Sequence, residues 1–261
     1  MQPTTHHDSV SRAYAEALAR REAGGSGCCG PSACAPSAPG VDAPSFGCGN
    51  PLALGEVRPG MTVLDLGSGA GHDLIAAARL VGPSGRVIGV DMTGEMIEAA
   101  RKNLARAGAA NAEIREGLIE ALPVEDASVD FVISNCVINL SPDKPAVFRE
   151  LARVLKPGGR FSISDIVADA ELPESLRTSA AAHAACIGGA IPEADYLAGL
   201  RAAGLTGVAA AERFAYDADA LVGIAEGDFD SLGLPGAELR DLADQAAGKV
   251  ASVRFVGRKG E

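Results

Sequence analysis

Basic side chains are in the minority in this chain of 261 residues. Lys and Arg number 23 against 34 Asp and Glu, which gives a formal net charge of −11. Nucleic-acid binding depends on clustered Lys and Arg that neutralise phosphates, so this balance counts against a nucleic-acid partner. Hydrophobic residues make up 47% of the chain, enough to bury a core, and we expect a globular protein.

Long hydrophobic runs are missing as well. No apolar stretch approaches the roughly 18 residues that span a bilayer. The first eight residues lack the basic start and apolar stretch of a signal peptide. We therefore expect a cytoplasmic protein with no membrane partner. In a reducing compartment its six cysteines are expected to be thiols, metal ligands or redox groups rather than permanent disulfides.

The N-terminal region differs in composition from the rest of the chain. The spacing of Val10, Tyr14 and Leu18 predicts a short helix, with Ser9 as its N-cap and its end near Glu22. His6 and His7, just ahead of it, are expected to face solvent. Residues 23–45 are almost entirely Gly, Ala, Ser, Pro and Cys, a composition that predicts a flexible arm.

From residue 60 onward, predicted strands and helices alternate. The strands fall at about 61–66, 86–90, 112–115, 129–134 and 160–165, and the helices between them at about 72–81, 95–107 and 145–155. This order predicts a Rossmann-like, doubly wound α/β fold with a mostly parallel sheet. Looser patterns predict helices at about 174–185, 193–203 and within 218–245, and strands at about 207–214 and 250–257. These form a C-terminal α+β part.

A glycine-rich turn follows the first strand, in the segment Gly67-Ser68-Gly69-Ala70-Gly71. Glycines let the backbone turn tightly and approach a ligand, and the helix N-terminus that follows attracts an anion. The spacing differs from the Gly-x-Gly-x-x-Gly of dinucleotide binders and suits a nucleoside that carries a carboxylate. Asp91 ends the second strand about twenty residues later, where an acidic side chain can accept hydrogen bonds from ribose hydroxyls.

This region resembles the class I S-adenosylmethionine-dependent methyltransferases over about residues 60–165. The resemblance implies that S-adenosylmethionine is the cofactor. It also implies cofactor contacts from the glycine turn, the acidic end of strand two, the segment after strand three and the residue after strand four. The contacts implied are Asp65, Gly67, Ser68, Gly69, Asp73, Asp91, Met92, Leu118, Ile119 and Asn135.

Cysteines mark three separate segments of the chain: Phe46-Gly47-Cys48-Gly49-Asn50-Pro51, Ser134-Asn135-Cys136-Val137-Ile138-Asn139-Leu140 and Cys186-Ile187-Gly188-Gly189-Ala190. Taken alone, Cys136 reads as a small buried apolar residue. It nevertheless follows strand four at the edge where α/β sheets bind ligands, and flanking glycines open the backbone around the other two. The Asn/Asp-Pro-Pro-aromatic motif of enzymes that methylate DNA amines is absent from the segment after strand four.

Together these three segments resemble the signature segments of the arsenite methyltransferases, and Cys28-Cys29 resembles the N-terminal cysteine pair of that family. The resemblance covers roughly residues 28–200. It implies methyl transfer to trivalent arsenic, with arsenite and methylarsenite as substrates. Some relatives have an acidic residue before the third cysteine, where this chain has Ala185, so His183 is a candidate proton acceptor. We expect residues 1–45 to form the helix and cysteine-bearing arm, 46–170 the cofactor-binding core and 171–261 the region that completes the arsenic site and the sheet.

The chemistry of arsenic suits such residues, because thiolates are the ligands that soft centres select. The resemblance implies that Cys48, Cys136 and Cys186 bind trivalent arsenic and that Cys28 or Cys29 takes part in a redox relay. An external reductant, thioredoxin or glutathione, would then reset the relay. Cys34 is interpreted as a spare thiol, and we expect a monomer.

Two alternatives stay open. A small-molecule carbon or oxygen methyltransferase of the quinone or sterol type would need an apolar substrate chamber and no thiol trio. A protein that sequesters metalloid without turnover would bind arsenite through Cys28, Cys29 and Cys34.

Overall fold

The protein is built on one mixed sheet. The computed structural model describes residues 6–22, 56–179, 182–183, 185–222 and 236–261. The strands are β1 (Thr62–Leu66), β2 (Arg86–Asp91), β3 (Ala112–Glu116), β4 (Val129–Asn135), β5 (Leu155–Ala168), β6 (Ile191–Pro192), β7 (Leu205–Ala215) and β8 (Val250–Lys259). Their order in the sheet is β3-β2-β1-β4-β5-β8-β7, and the short strand β6 also pairs with β5.

Helices connect most of these strands. They are α1 (His6–Glu22), α2 (His72–Val81), α3 (Gly94–Ala107), α4 (Lys144–Val154), α5 (Glu174–Thr178), α6 (Glu193–Ala202) and α7 (Gly236–Ala246), with a 3₁₀ turn at Ile138–Leu140. Within the described part of the chain, none of these helices has both the length and the apolar character to cross a membrane.

The pairing of the strands confirms the predicted fold. β1 pairs in parallel with β2 and β4, β2 with β3, and β4 with β5, whereas β8 runs antiparallel between β5 and β7. The central strands are buried on both faces, as continuous apolar runs in a parallel sheet predict. Val63, Leu64 and Leu66 in β1, for example, are fully buried.

The strand order also fixes where a ligand can bind. The chain runs outward from β1 through β2 to β3 and then returns to the other side of β1 as β4. Connections therefore leave β1 and β4 in opposite directions, and a crevice opens beyond the carboxyl ends of these two strands. The glycine turn follows β1 at this crevice, and the segment that contains Cys136 follows β4.

Three local predictions were wrong. Ser9 lies inside α1 and is not its N-cap, because the helix already includes His6. The fifth strand begins at Leu155 rather than at residue 160. It pairs with Val129, and a shift in the β4–β5 register accommodates the intervening Pro-Gly-Gly segment. The helix predicted for 174–185 is interrupted, because α5 ends at Thr178 and Ser179 has an extended backbone, while residues 182–183 are helical again.

Candidate active site

The glycine turn after β1 packs closely against the segment after β4. Gly67 has φ +65°, and its N–H donates to the Val90 carbonyl at 2.9 Å. A Cβ on Gly67 would lie 2.3 Å from Cγ2 of Val137, so a larger residue would push the two segments apart. The crevice between β1 and β4 therefore keeps its shape because this position is glycine.

Three carboxylates converge beside the turn: Asp65, Asp73 and Asp91. Burial raises the pKa of Asp65 well above its usual value, and the charges of Asp73 and Asp91 raise it further. Burial also raises the pKa of Asp73 and of Asp91, although hydrogen bonds oppose the shift. Oδ2 of Asp65 is buried and has no hydrogen-bond partner among the described residues. The group is therefore suited to a cationic ligand, which would relieve the repulsion and pair the unpartnered oxygen.

Asp91 also stiffens the turn. Its Oδ2 accepts a hydrogen bond from the N–H of Gly69 at 2.8 Å, and its Oδ1 accepts one from the N–H of Thr93 at 2.9 Å. Asp73 lies in the first turn of α2, where its Oδ2 accepts a hydrogen bond from Nδ2 of Asn135 at 3.3 Å. Asn135 ends β4, so this contact joins the two sides of the crevice.

A cleft of about 880 Å³ lies at this edge of the sheet. Its wall includes nine of the ten residues predicted to contact the cofactor: Asp65, Gly67, Ser68, Gly69, Asp73, Asp91, Met92, Ile119 and Asn135. Leu118 is outside the wall and 38% exposed, whereas its neighbours Gly117 and Ile119 line the cleft.

Helix α1 covers one side of the cleft. His7, Val10 and Tyr14 line it, and Nε2 of His7 donates to Oε1 of Glu120 at 3.1 Å. Nε2 of His6 donates to the Leu140 carbonyl at 2.8 Å. The expectation that the two histidines face solvent was therefore wrong, because both are half-buried and anchor the start of α1.

The two described cysteines lie next to each other, Cys136 in the cleft wall and Cys186 outside that wall. Cys136 lines the cleft, and Sγ of the buried Cys186 donates to its backbone carbonyl at 2.6 Å. Both have left-handed backbones, with φ +56° and +60°, a conformation that costs energy for residues other than glycine and is typical of functional sites. Cys186 is a thiol, whereas Cys136 is half of a disulfide. The predicted residues Cys28, Cys29 and Cys48 lie outside the described residues, as does Cys34.

The surroundings of Cys186 favour the protonated thiol. Burial raises its pKa strongly, and the nearby charge of Asp165 raises it further, while Lys144 and a hydrogen bond with Tyr14 oppose the shift. The hydroxyl of Tyr14 lies 3.8 Å from Sγ of Cys186. Burial also raises the pKa of Asp165 to about 7. A buried carboxyl, an ammonium group and a phenol thus surround this thiol.

His183, the candidate proton acceptor, lies in the same region. Its ring centroid is 5.2 Å from that of His6 in an edge-to-face arrangement. Burial lowers its pKa, and the charges of His6 and Lys144 lower it further. The ring is therefore held in the neutral form, which can accept a proton. Among the described residues, no group of three or more His, Cys, Asp or Glu side chains is arranged to hold a metal ion.

Sequence reasoning missed several residues around the cysteines. Glu120, Lys144, Asp165 and Tyr14 had no predicted role, and Asn139 was noted as part of a motif without a function of its own. Two signals were available in the sequence. Asp165 is the single carboxylate in its strand, and Asn139 is a polar residue within an apolar segment that follows β4. Their contacts join distant parts of the chain, which no sequence spacing predicts.

Curated proteins of known name are similar to this chain in sequence. The chain is 52% identical over 163 residues to an arsenite methyltransferase from Halobacterium salinarum, a match that covers 62% of this chain and 42% of that protein. It is 46% identical over 165 residues to the arsenite methyltransferase of Aquipseudomonas alcaligenes, covering 60% of this chain and 47% of that protein. The matches thus span less than half the length of these two curated relatives.

A solved structure and a family model extend the comparison. The structure of an arsenic(III) S-adenosylmethionine methyltransferase from Chlamydomonas reinhardtii superposes with a TM-score of 0.62 at 37% identity, covering 78% of this chain and 65% of that one. A family model described as Methyltransferase domain matches residues 58–218, which is more than half of the chain. With its doubly wound sheet, glycine turn and acidic strand end, the chain belongs to the methyltransferase domain family.

Proposed function

We propose that this protein transfers a methyl group from S-adenosylmethionine to trivalent arsenic held by cysteine thiolates. The observation that carries the proposal is the position of Cys136, which lines the cleft beside the acidic glycine turn while the thiol of Cys186 lies against its carbonyl. The names and identities of the two relatives described above support arsenite as the substrate. Methylarsenite, the product of one transfer, is the proposed second substrate.

The cleft wall fits S-adenosylmethionine. Its sulfonium and ammonium groups are cationic, and the three converging carboxylates with the unpartnered Oδ2 of Asp65 offer the complementary charge. Asp91 is the proposed acceptor for the ribose hydroxyls, since its oxygens retain acceptor capacity beyond their two backbone bonds. When bound, this cofactor supplies an electrophilic methyl group. The proposed contacts are the nine predicted residues of the wall, together with Gly117 from the adjacent loop.

Thiol chemistry accounts for arsenic binding without a dedicated base. Each arsenic–sulfur bond replaces one hydroxyl of arsenite, and the thiol proton leaves with that hydroxyl as water. Cys48, Cys136 and Cys186 are the proposed ligands, a set that leaves a lone pair on arsenic as the nucleophile. The protein then contributes by positioning this lone pair towards the methyl group.

The redox state of Cys136 supports the proposed need for a reductant. As half of a disulfide, Cys136 cannot bind arsenic until that bond is reduced. Methyl transfer also converts trivalent arsenic to the pentavalent state. Two electrons from a pair of thiols would restore the trivalent state and leave a new disulfide, with Cys28 or Cys29 as proposed members of the relay. Thioredoxin or glutathione is the proposed external thiol that reduces it.

Arsenic speciation tests the proposal directly. Wild-type protein, arsenite, S-adenosylmethionine and glutathione are incubated, and the arsenic species are separated by chromatography with mass detection. We expect methylated arsenic from the wild type and none from Cys136→Ser. Cys34→Ser is the matched control, because it removes a thiol outside the proposed ligand set, and its yield should equal that of the wild type.

The other outcomes separate the alternatives. Methylation that survives in Cys136→Ser would contradict the ligand assignment while keeping the activity. A wild type that binds S-adenosylmethionine but yields no methylated arsenic would favour a carbon or oxygen methyltransferase. Arsenite binding that is lost on deletion of residues 1–45, without turnover in the whole chain, would favour sequestration.

A further inference from the structure

We propose that Asn139 is the positioning residue that holds the two cysteine-bearing loops at the spacing needed to bind one arsenic atom. The inference rests on the proposed function, in which Cys136 and Cys186 are both ligands. It assigns a role to a residue that does not itself line the cleft.

The side-chain amide of Asn139 joins three segments of the chain. Its Nδ2 donates to the carbonyl of Cys186 at 3.1 Å and to the carbonyl of Ile166 in β5 at 2.6 Å. Asn139 itself lies in the 3₁₀ turn, three residues after Cys136. One buried amide therefore ties the loop of Cys186 to the turn that follows Cys136 and to the central sheet.

The backbone of Asn139 is held equally firmly. Its N–H donates to Oδ2 of Asp165 at 3.2 Å, and its carbonyl accepts a hydrogen bond from Nζ of Lys144 at 3.3 Å. Asp165 also accepts a hydrogen bond from the hydroxyl of Tyr196 at 3.2 Å. The Tyr196 ring stacks on Phe255 of β8 with a centroid distance of 4.2 Å, which anchors this network in the core of the sheet.

The loop of Cys186 approaches Asn139 at a distance that needs glycine. A Cβ on Gly189 would lie 2.1 Å from the Asn139 carbonyl oxygen, a backbone atom that cannot move aside. Close approach to this asparagine thus explains Gly189, whereas a Cβ on its neighbour Gly188 would lie 2.4 Å from Nδ1 of His183. The hydrogen bond from Asn139 to the Cys186 carbonyl depends on this close approach of the loop.

Spacing matters because the two cysteines are far apart in sequence and lie on loops. Fifty residues separate them, and the contact between Sγ of Cys186 and the Cys136 carbonyl is 2.6 Å. Both left-handed backbones would relax if the surrounding contacts were lost. Since a shift of about 1 Å in a reacting group can cost about 100-fold in rate, the amide that fixes this spacing controls how well arsenic is held.

A second asparagine provides a matched control. Nδ2 of Asn111 also donates to two carbonyls, those of Ala78 and Gly82, at 3.0 and 2.8 Å. Asn111 immediately precedes β3, at the opposite edge of the sheet from the cleft. Asn111→Leu therefore removes the same kind of clamp without touching the cysteine loops.

The test measures how well the two thiols bind one arsenic atom. Cys28, Cys29, Cys34 and Cys48 are replaced by serine in the full-length chain. The reduced protein is titrated with phenylarsine oxide, which joins two thiols through a single arsenic. We expect Asn139→Leu to weaken this binding at least about tenfold, the loss that misplacement of one partner brings. Asn111→Leu should leave it unchanged, and the affinity for S-adenosylhomocysteine should change less than about twofold in both variants.

Kinetics in the chain with all its cysteines gives the second measurement. Asn139→Leu should raise KM for arsenite about tenfold while KM for S-adenosylmethionine stays within about twofold, a split that general loss of stability does not produce. If Asn139→Leu does not fold, Lys144→Met removes one contact from the same backbone and should weaken phenylarsine oxide binding about threefold.

The outcomes distinguish this inference from the proposed function. If folded Asn139→Leu binds phenylarsine oxide as tightly as Asn111→Leu does, the inference is overturned, even if the wild type methylates arsenite. Unchanged binding in Lys144→Met overturns it where the asparagine variant cannot be made. If the wild type forms no methylated arsenic, the proposed function is contradicted. If phenylarsine oxide binding still depends on Asn139 in that case, the spacing role is supported.

Discussion

The two halves of the active-site edge are built in different ways. The cofactor half, at the ends of β1 and β2, is formed by backbone turns and carboxylates close in sequence, and its contact between Gly69 and Asp91 spans 22 residues. The cysteine half, beyond β4 and β5, is held by side chains that join distant segments. The contact between Asn139 and Cys186 spans 47 residues, and that between Tyr14 and Cys186 spans 172. The contacts around the glycine turn thus join neighbouring segments of the chain, although the Asp73–Asn135 contact of the cofactor half spans 62 residues, whereas the cysteine half depends throughout on the completed fold.

Two substitutions, Asp91→Ala and Gly189→Ala, should each impair ligand binding in one half only. The loss of cofactor binding in Asp91→Ala is the largest effect we expect. Asp91→Ala removes both acceptors of the Gly69 and Thr93 N–H groups together with the proposed ribose acceptor. Loss of such charge-assisted bonds costs about 3 kcal/mol, so the dissociation constant for S-adenosylmethionine should rise about 100-fold or more. Phenylarsine oxide binding should change little. Isothermal calorimetry measures both affinities.

Gly189→Ala should give the reverse pattern. Its Cβ would overlap the Asn139 carbonyl, so the loop of Cys186 must move. We expect phenylarsine oxide binding to weaken at least about tenfold while the affinity for S-adenosylmethionine is retained, because Gly189 does not line the cleft. Circular dichroism at the assay temperature checks that each variant is folded. Equal losses of both ligands in either variant would contradict the separation of the halves.

The free energy of unfolding should depend on pH through the ionisation of Asp165, the buried carboxyl group of the cysteine half. Burial raises the pKa of Asp165 to about 7. A folded-state pKa above the unfolded value means that the folded protein binds more protons, so this group's contribution to stability is lost as pH rises from about 4 to 7. In Asp165→Asn that loss disappears, and the stability of the variant relative to wild type should increase by up to about 4 kcal/mol between pH 4 and pH 8. Urea unfolding across this range measures it. A difference that stays constant with pH would show that Asp165 does not change its protonation there.

A substitution at Tyr14 should have a smaller effect and show whether its hydroxyl acts in the cysteine half or in the cofactor half. Tyr14 lines the cleft, and its hydroxyl lies 3.8 Å from Sγ of Cys186. Tyr14→Phe keeps the ring and removes this polar contact, which is worth about 1 kcal/mol. We expect KM for arsenite to rise about fivefold and KM for S-adenosylmethionine to stay unchanged. If KM for S-adenosylmethionine rises instead, the Tyr14 hydroxyl belongs to the cofactor half.

The same contrast explains how far the sequence predicted the structure. Helix α2 was predicted with its observed bounds, and the five central strands were located because apolar runs and glycine turns are local signals. The role of Asp91 was predicted from its distance to the glycine turn, whereas Asp65 and Asp73 were implied by the resemblance. The segments that contain Cys136 and Cys186 were identified by resemblance, but nothing local indicated that Asn139 would join them. The continuous helix predicted for 174–185 was wrong, because the backbone turns to an extended conformation at Ser179, a break that the sequence pattern did not indicate.

Leu118 provides the smallest expected effect and tests the edge of the cofactor half. It was predicted to contact the cofactor, but its side chain is 38% exposed and outside the cleft, while Gly117 and Ile119 face inward. Leu118→Ala should therefore change the affinity for S-adenosylmethionine less than about twofold, as expected of an exposed position. Ile119→Ala is the matched comparison, and loss of its buried side chain should weaken binding about tenfold. A loss in Leu118→Ala as large as in Ile119→Ala would mean that the loop after β3 turns its exposed leucine into the cleft when the cofactor binds, and that this half is less preformed than its local contacts indicate.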